Sequence, residues 1–349
     1  MRKLTPDRLR TLLQSFPSLR VGVVGDFFLD AYYDCDPNLD EKSLETGRNC
    51  YQVVRHRRQA GAAGTVAANL RALGVGQVEA VGYCGDDGEG YELRRAMCGL
   101  DLDLRGFLTA PNRFTPTYAK PCYVDMRTSA LPVVEELERL DTKNRKPTPV
   151  ALQDALIDCI RNRLDHWDAL VLIDQVSEAN CGVLTSRVRR AIAAAARHRP
   201  QCPILADSRM RIGLFKETIL KPNQREAMHA LGRKGRPTLQ AARDHALMLN
   251  RRTRRPVFLT LGHRGILVAK DGDIERVPAV RVEGPIDVVG AGDSCSAAIA
   301  AGLAAGASAV EAASLACLVA SLTIQQIGAT GTASPARIRR RYQETHRGL

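Results

Sequence analysis

The 349-residue sequence predicts an α/β fold, with a mostly parallel central sheet covered by helices on both faces and a small β lid. Three observations lead there. Short runs rich in Val, Leu and Ile alternate with segments of helical spacing along most of the chain. Apolar residues make up 45% of the sequence but aromatics only 5%, a balance suited to helix-on-sheet packing by aliphatic side chains. Two polar stretches, about 32–58 and 112–140, break the alternation and are expected to pair as lid strands rather than lie as long coils. Residues 1–349 are expected to form one main domain.

The elements follow in order. Residues 7–16 have helical spacing before Pro17, and 19–25 read as a buried, Val-rich strand. Residues 64–73 carry small and apolar side chains at helical spacing and stop at Gly74, after which 78–82 form a strand. The alternation continues as helix 151–164, strand 169–173, helix 180–198, strand 203–206, a short strand 218–220, helix 237–250 and strand 256–260. Gly272, between Ile266-Leu267-Val268-Ala269 and Ile274-Glu275-Arg276-Val277, signals a hairpin near the sheet edge. Helices resume at about Gly292, and within the lid 118–124 and 129–134 are the expected strands.

The formal charge of +12 comes mainly from Arg, clustered at 55–58, 251–255 and 337–341. These clusters are dispersed and lack interleaved aromatics that could stack on bases, so a solvated basic surface is expected and no nucleic-acid partner. The same field attracts phosphorylated substrates. The ten Cys show no Cys-x-x-Cys spacing and sit in apolar segments, which points to reduced, buried thiols. Met1-Arg2-Lys3-Leu4-Thr5-Pro6 lacks an apolar signal core, and no run of 18 apolar residues occurs, so a cytoplasmic enzyme without a membrane partner is expected.

The strongest chemical motif is Asp287-Val288-Val289-Gly290-Ala291-Gly292-Asp293, followed by the small-residue run Ser294–Leu303. Glycines allow close backbone approach, and a helix starting near Gly292 directs free N–H groups and its positive dipole end at an anion. A carboxylate there can take a proton from an attacking hydroxyl while the amides of Gly290, Ala291 and Gly292 stabilise the transferred charge. Asp293 is that carboxylate; the plain alternative is a helix cap.

This run resembles the C-terminal signature of the ribokinase-like (PfkB) carbohydrate kinases, and the resemblance extends from Val21 to about Ser334 in the family's order. It implies a ribokinase-like fold, ATP and Mg2+ as cofactors with a monovalent cation as a further candidate, and Asp293 as general base. Val23-Val24-Gly25-Asp26-Phe27-Phe28-Leu29-Asp30 resembles the first strand and its sugar-binding Asp, with Asp26 the first choice and Asp30 either a substrate contact or a lid-hinge residue. Gly61-Ala62-Ala63-Gly64-Thr65 through Asn69 resembles the Gly-Gly loop beside the sugar, but Ala62 replaces the second Gly and Thr65 stands where Asn is common. Gly61 is then a substrate contact, and Asn69 either faces substrate or bonds within its helix.

Asn223-Gln224-Arg225-Glu226 matches the Asn-x-x-Glu element near phosphate and hydrated magnesium, with Glu226 as the metal residue; the same spacing is also a capping box. Thr260-Leu261-Gly262-His263-Arg264-Gly265 matches the Thr-x-Gly-x-x-Gly turn that approaches nucleotide phosphates, and Gln325–Thr332, with Gly328, resembles the loop over adenine. Asp174 and Asp207 end predicted strands, where sites of parallel sheets assemble, and either can instead cap a helix.

Gly25-Asp26, Asp30, Glu138-Arg139-Leu140-Asp141 and the layout through Asp207 and Asn223 resemble the branch that phosphorylates heptose 7-phosphate at its anomeric hydroxyl. A sugar or sugar-phosphate acceptor is expected, with Arg55, Arg57, Arg58 and Arg139 as candidate phosphate ligands and a homodimer through the lid edge. The alternatives are a nucleoside or other small-molecule kinase of the same fold, or a non-catalytic nucleotide- or sugar-binding regulator.

Overall fold

The computed structural model describes residues 4–236, 238–328 and 330–346. Met1–Lys3, Pro237 at the head of the expected helix 237–250, and Ala329 in the expected adenine loop lie outside them. Among the described residues a nine-stranded sheet runs in the order Asp273–Val277, Ile266–Lys270, Val257–Thr260, Ile219–Leu220, Ile204–Ser208, Ala169–Asp174, Arg20–Gly25, Gln77–Gly85, Asp103–Ala110. The pairs are parallel except at the hairpin edge, where Val257–Thr260, Ile266–Lys270 and Asp273–Val277 are antiparallel. Ala169–Asp174 is buried at every position, as a central parallel strand covered on both faces must be.

Two apolar clusters fill the layers. Helices Ala63–Ala72, Ala291–Ala304 and Ala309–Thr323 pack on one face, and Val150–Arg163, Ser186–His198 and Leu239–Thr253 on the other. The small residues of Ala291–Ala304 permit very close packing: a Cβ at Gly302 would touch Leu315 at 3.4 Å.

Three sequence expectations need correction, and one helix was not anticipated. The helix expected over 180–198 begins at Ser186, where Thr185 caps it by accepting from the Val188 N–H, while 180–184 form a turned segment held to the core. The lid begins at Phe27 rather than 32, because Phe27–Cys35 continues the first core strand after a single intervening residue. The lid strand expected at 129–134 lies instead at Val133–Glu136, beyond a turn in which Leu131 has φ 48°. A further helix, Gly88–Gly99, capped by Asp87, leads into the edge strand Asp103–Ala110.

The lid sheet has the order Leu140–Thr142, Thr117–Val124, Phe27–Cys35, Val53–Ala62, with Val133–Glu136 also pairing to Thr117–Val124. Beside it, Glu41–Lys42 pairs with Asn49–Cys50. Seven of the ten cysteines are buried, and all ten are free thiols, while Cys98 is exposed. No helix among the described residues is long and apolar enough to cross a membrane.

Candidate active site

The C-terminal ends of the parallel strands face the lid, and between them lies a cleft of about 330 Å³. Its wall includes Asp30, Lys120 and Arg139 from the lid and Arg209, Gly290 and Asp293 from the body. Gly290 precedes helix Ala291–Ala304 in the left-handed conformation, φ 75°, and a Cβ there would come within 2.6 Å of Thr330. The glycine therefore lets the Gln325–Thr332 loop close against the helix start. Asp287 joins the same two segments: its carboxylate accepts from the N–H groups of Val289 and Gly328, at 2.9 and 3.2 Å.

Asp293 stands in the first turn of that helix, half-buried and facing the cleft. Its carboxyl is pushed up to about 7, first by burial and then by the charge of Asp207, against the opposing pull of Lys221 and Arg209. Asp207 itself is buried, pairs with the Lys221 ammonium at 2.9 Å and accepts from the Ser296 hydroxyl at 2.8 Å. Burial alone would lower the Lys221 pKa, but Asp207 and its neighbours outweigh it and the net shift is upward. Lys221 also lies close to Gly292, where a Cβ would be 3.7 Å from Nζ. A fixed positive charge thus stands beside the helix N-terminus, a role that the sequence signal at Lys221-Pro222-Asn223 did not single out.

Asn223 and Glu226 form the anticipated capping box: Asn223 accepts from the Glu226 N–H at 2.9 Å, and Glu226 accepts from the Asn223 N–H at 2.7 Å. Glu226 remains half-buried, its pKa raised by burial and by Asp207. Among the described residues no group of three or more His, Cys, Asp or Glu could hold a metal. A hydrated magnesium needs no such cage, since one or two carboxylates and substrate phosphates suffice.

Thr260 ends its strand beside this box, donating its N–H to Pro222 O at 2.9 Å. The turn that follows has Gly262 at φ 61° and Gly265 at φ 94°, and a Cβ at Gly265 would collide with Val277 O at 2.0 Å. Arg264 ties the turn to Gln224 at 3.1 Å. The structure thereby brings Asn223, Glu226, Thr260 and the Gly262–Gly265 turn together.

On the acceptor side the structure separates the candidate residues. Asp26 does not face the cleft: it is buried, and its carboxylate accepts from the N–H groups of Val183 at 2.8 Å, Gln175 at 2.8 Å and Val176 at 3.0 Å. Burial, then Asp174, pushes it up to about 6 against those three donors. Asp30 is the carboxylate in the cleft, where it pairs with Lys120 at 2.9 Å. Gly61 lies opposite Phe28 in the lid register and makes room for this group, since a Cβ there would be 2.3 Å from Asp30 Oδ2. It positions Asp30 and does not itself line the cleft.

Asp174 is likewise committed elsewhere, pairing with Arg211 at 2.7 Å and accepting from Ser208 at 2.6 Å. Asn69 is fully buried and donates to Thr65 O at 3.0 Å, which is the local bond its alternative reading expected. Ala62 takes φ 53° and ψ −113°, a region open to glycine and costly for a residue with a Cβ. Of the lid arginines, Arg55 and Arg57 both bind the buried Asp34, at 2.6 and 2.8 Å, and Arg58 bonds to Tyr32 O. Only Arg139 of those four lines this cleft, stacked 4.3 Å over Tyr118 and paired with Asp141 at 2.6 Å. Lys120, Tyr32 and Arg209 line it too and were not anticipated, because nothing in their local sequence marks them.

A carboxylate at a helix start facing a cleft under a β lid is the arrangement expected of a small-molecule phosphotransferase of the ribokinase-like fold. The chain belongs to the pfkB family of carbohydrate kinases, whose profile it matches over residues 23–337. The bifunctional protein HldE of Geotalea uraniireducens is 29% identical over 333 residues, covering 95% of this chain and 64% of the relative. HldE of Caulobacter sp. strain K31 is 32% identical over 329 residues, covering 92% and 62%. This chain thus spans less than two thirds of the length of these curated relatives. Among solved structures, Arabidopsis thaliana ribokinase complexed with ribose and ATP superposes with a TM-score of 0.70 at 19% identity, covering 93% of this chain and 98% of that one. Escherichia coli phosphofructokinase-2 in complex with fructose-6-phosphate gives 0.67 at 16% identity, covering 94% and 100%. These likenesses establish the fold.

Proposed function

We propose that this carbohydrate kinase transfers the γ-phosphoryl group of ATP to a hydroxyl of a sugar phosphate, with heptose 7-phosphate as the leading acceptor and residues 1–349 acting as one kinase domain. The observation that carries the reaction is Asp293, a cleft-facing carboxyl raised to about 7 at a helix N-terminus. A base with a pKa near working pH combines the right protonation state with proton-transfer drive. Likeness to HldE supports the acceptor.

In this reading Asp293 takes the proton of the attacking hydroxyl, and Asp30, held by Lys120, orients the acceptor by accepting from its other hydroxyls. The N–H groups of Gly290, Ala291 and Gly292, with the Lys221 charge beside them, stabilise the charge on the phosphoryl oxygens in transit. The Gly262–Gly265 turn and the Gln325–Thr332 loop, including Gly328, hold the nucleotide. Magnesium, bound near Glu226, supplies neutralisation of phosphate charge. A monovalent cation is a further proposed cofactor, tested by replacing potassium with tetramethylammonium in the assay.

ATP consumption across a panel of sugars, sugar phosphates and nucleosides, with Asp293→Asn as control, tests the proposal. Turnover of sugar phosphates by the wild type and its loss in the variant are expected. Equal inactivity of both proteins with every acceptor would overturn it in favour of a ligand-binding regulator, and preferred turnover of nucleosides in favour of a nucleoside kinase. We also propose a homodimer through the lid, which exposes Val54, Val134 and Leu140 on its outer face and edge. Light scattering of the protein with charges placed at Val54 and Val134 tests this: wild-type dimers and monomeric variants are expected.

A further inference from the structure

Arg209 follows strand Ile204–Ser208 at the rim of the cleft, with its backbone N–H bonded to Asp174 O at 3.2 Å. Its neighbour Arg211 is spent on Asp174 and the carbonyls of Val176 and Ser177. The Arg209 guanidinium, in contrast, has no ion pair or hydrogen-bond partner among the described residues. Its charge nevertheless reaches far enough into the site to oppose the upward pKa shifts of both Asp293 and Glu226.

The cleft continues into a side niche that shares Phe28, Tyr118, Gln175 and Arg209 with it and adds Lys143, Asn144 and Ser177. Charge there is unbalanced. Lys143 and Arg139 share one carboxylate, Asp141, at 3.5 and 2.6 Å. Glu178, the acidic wall of the niche, has its pKa lowered on balance, despite some burial, by its local hydrogen bonds and by Lys143 and Arg145. In the cleft proper, Lys120 is already neutralised by Asp30. Three cations, Arg139, Lys143 and Arg209, thus meet at the junction of cleft and niche with fewer carboxylates than they can satisfy. An ammonium and two guanidiniums with open donors fit a phosphate dianion, which guanidinium binds in a fork.

We propose that Arg209, with Lys143 and Arg139, binds the acceptor's own phosphate at the junction with the niche, away from the transferred group. These residues make the enzyme specific for phosphorylated over neutral sugars. The proposal rests on the kinase reading of the same cleft and adds the residues that choose the acceptor.

The test is steady-state kinetics of wild type, Arg209→Gln, Arg209→Lys and Lys143→Gln, with ATP and matched pairs of neutral and phosphorylated hexoses and heptoses. Calorimetric binding of the same sugars and sugar phosphates runs in parallel and needs no turnover. Expected is an increase of about tenfold or more in KM and Kd for phosphorylated acceptors with Arg209→Gln, as for loss of a charge-assisted contact, partial recovery with Arg209→Lys, and KM for ATP within about twofold of wild type. Thermal melts verify that the variants fold. A wild type that favours neutral sugars overturns the proposal, and so does an Arg209→Gln effect confined to KM for ATP. A wild type that binds sugar phosphates through Arg209 but transfers nothing overturns the kinase reading and leaves the phosphate site standing.

Discussion

The Lys221 ammonium lies 2.9 Å from the Asp207 carboxylate, and both are buried next to the helix that carries Asp293. The two charges act on Asp293 in opposite directions: Asp207 raises its pKa and Lys221 lowers it. Lys221→Met leaves Asp207 buried without its partner, so it should cost about 3–5 kcal/mol of stability. In the folded fraction the acid limb of the pH–rate profile should move to higher pH, because Asp293 loses the charge that favours its ionised form. Asp207→Asn should move that limb the other way. Denaturant unfolding and kcat/KM against pH measure both effects.

Asp293 has a second signature. Its pKa rises from 3.8 to about 7 on folding, so the folded state binds this proton more tightly and ionisation costs stability. That stabilisation is complete below the unfolded value and lost as pH climbs through the folded one. Asp293→Asn should reduce turnover by roughly 10²–10⁴ while raising Tm relative to wild type at about pH 8 and leaving it unchanged at about pH 4. Wild-type kcat/KM should rise with pH through about 7. A pH-independent difference in Tm would show that the carboxyl is not perturbed as described.

Asp26 and Asp30 should separate cleanly. Asp30→Asn should act on acceptor KM first, with a smaller loss of Tm from the Lys120 ammonium left without its partner. Asp26→Ala strands one buried and two part-buried backbone donors, the buried one alone worth about 1–3 kcal/mol when unpaired, and should act on stability first. Thermal melts beside acceptor kinetics distinguish the two.

Ala62 holds φ 53° and ψ −113° where glycine would be unstrained. Ala62→Gly should stabilise the protein by about 1 kcal/mol, the relief of strain exceeding the entropy of the more flexible unfolded chain. A lower Tm for the variant would contradict this account.

The parallel sheet, the hairpin around Gly272 and the turns and cap grouped around Asn223 and Thr260 were legible in the sequence because each is a local signal. Buried Val-rich runs mark strands, and Gly290, Gly262 and Gly265 sit where turns demand positive φ. The Asn223–Glu226 capping box is likewise written within four residues. The acceptor side was less legible because its contacts are long-range. Asp26 is drawn inward by amides about 150 positions away, which no local pattern predicts, and Asp30 reaches the cleft only because the lid strand starts at Phe27. The helix expected from 180 starts at Ser186 since the Val183 N–H is claimed by Asp26 instead of a helical carbonyl. Arg209 and Lys120 carry no motif, and their place in the site comes from tertiary arrangement alone.

One residue, Asp26, separates the core strand Arg20–Gly25 from the lid strand Phe27–Cys35. Its three accepted N–H bonds from Gln175, Val176 and Val183 anchor the root of the lid strand to the body. Asp30 stands only four residues beyond that anchor, so the carboxylate that enters the cleft from the lid is held close to the sheet it faces.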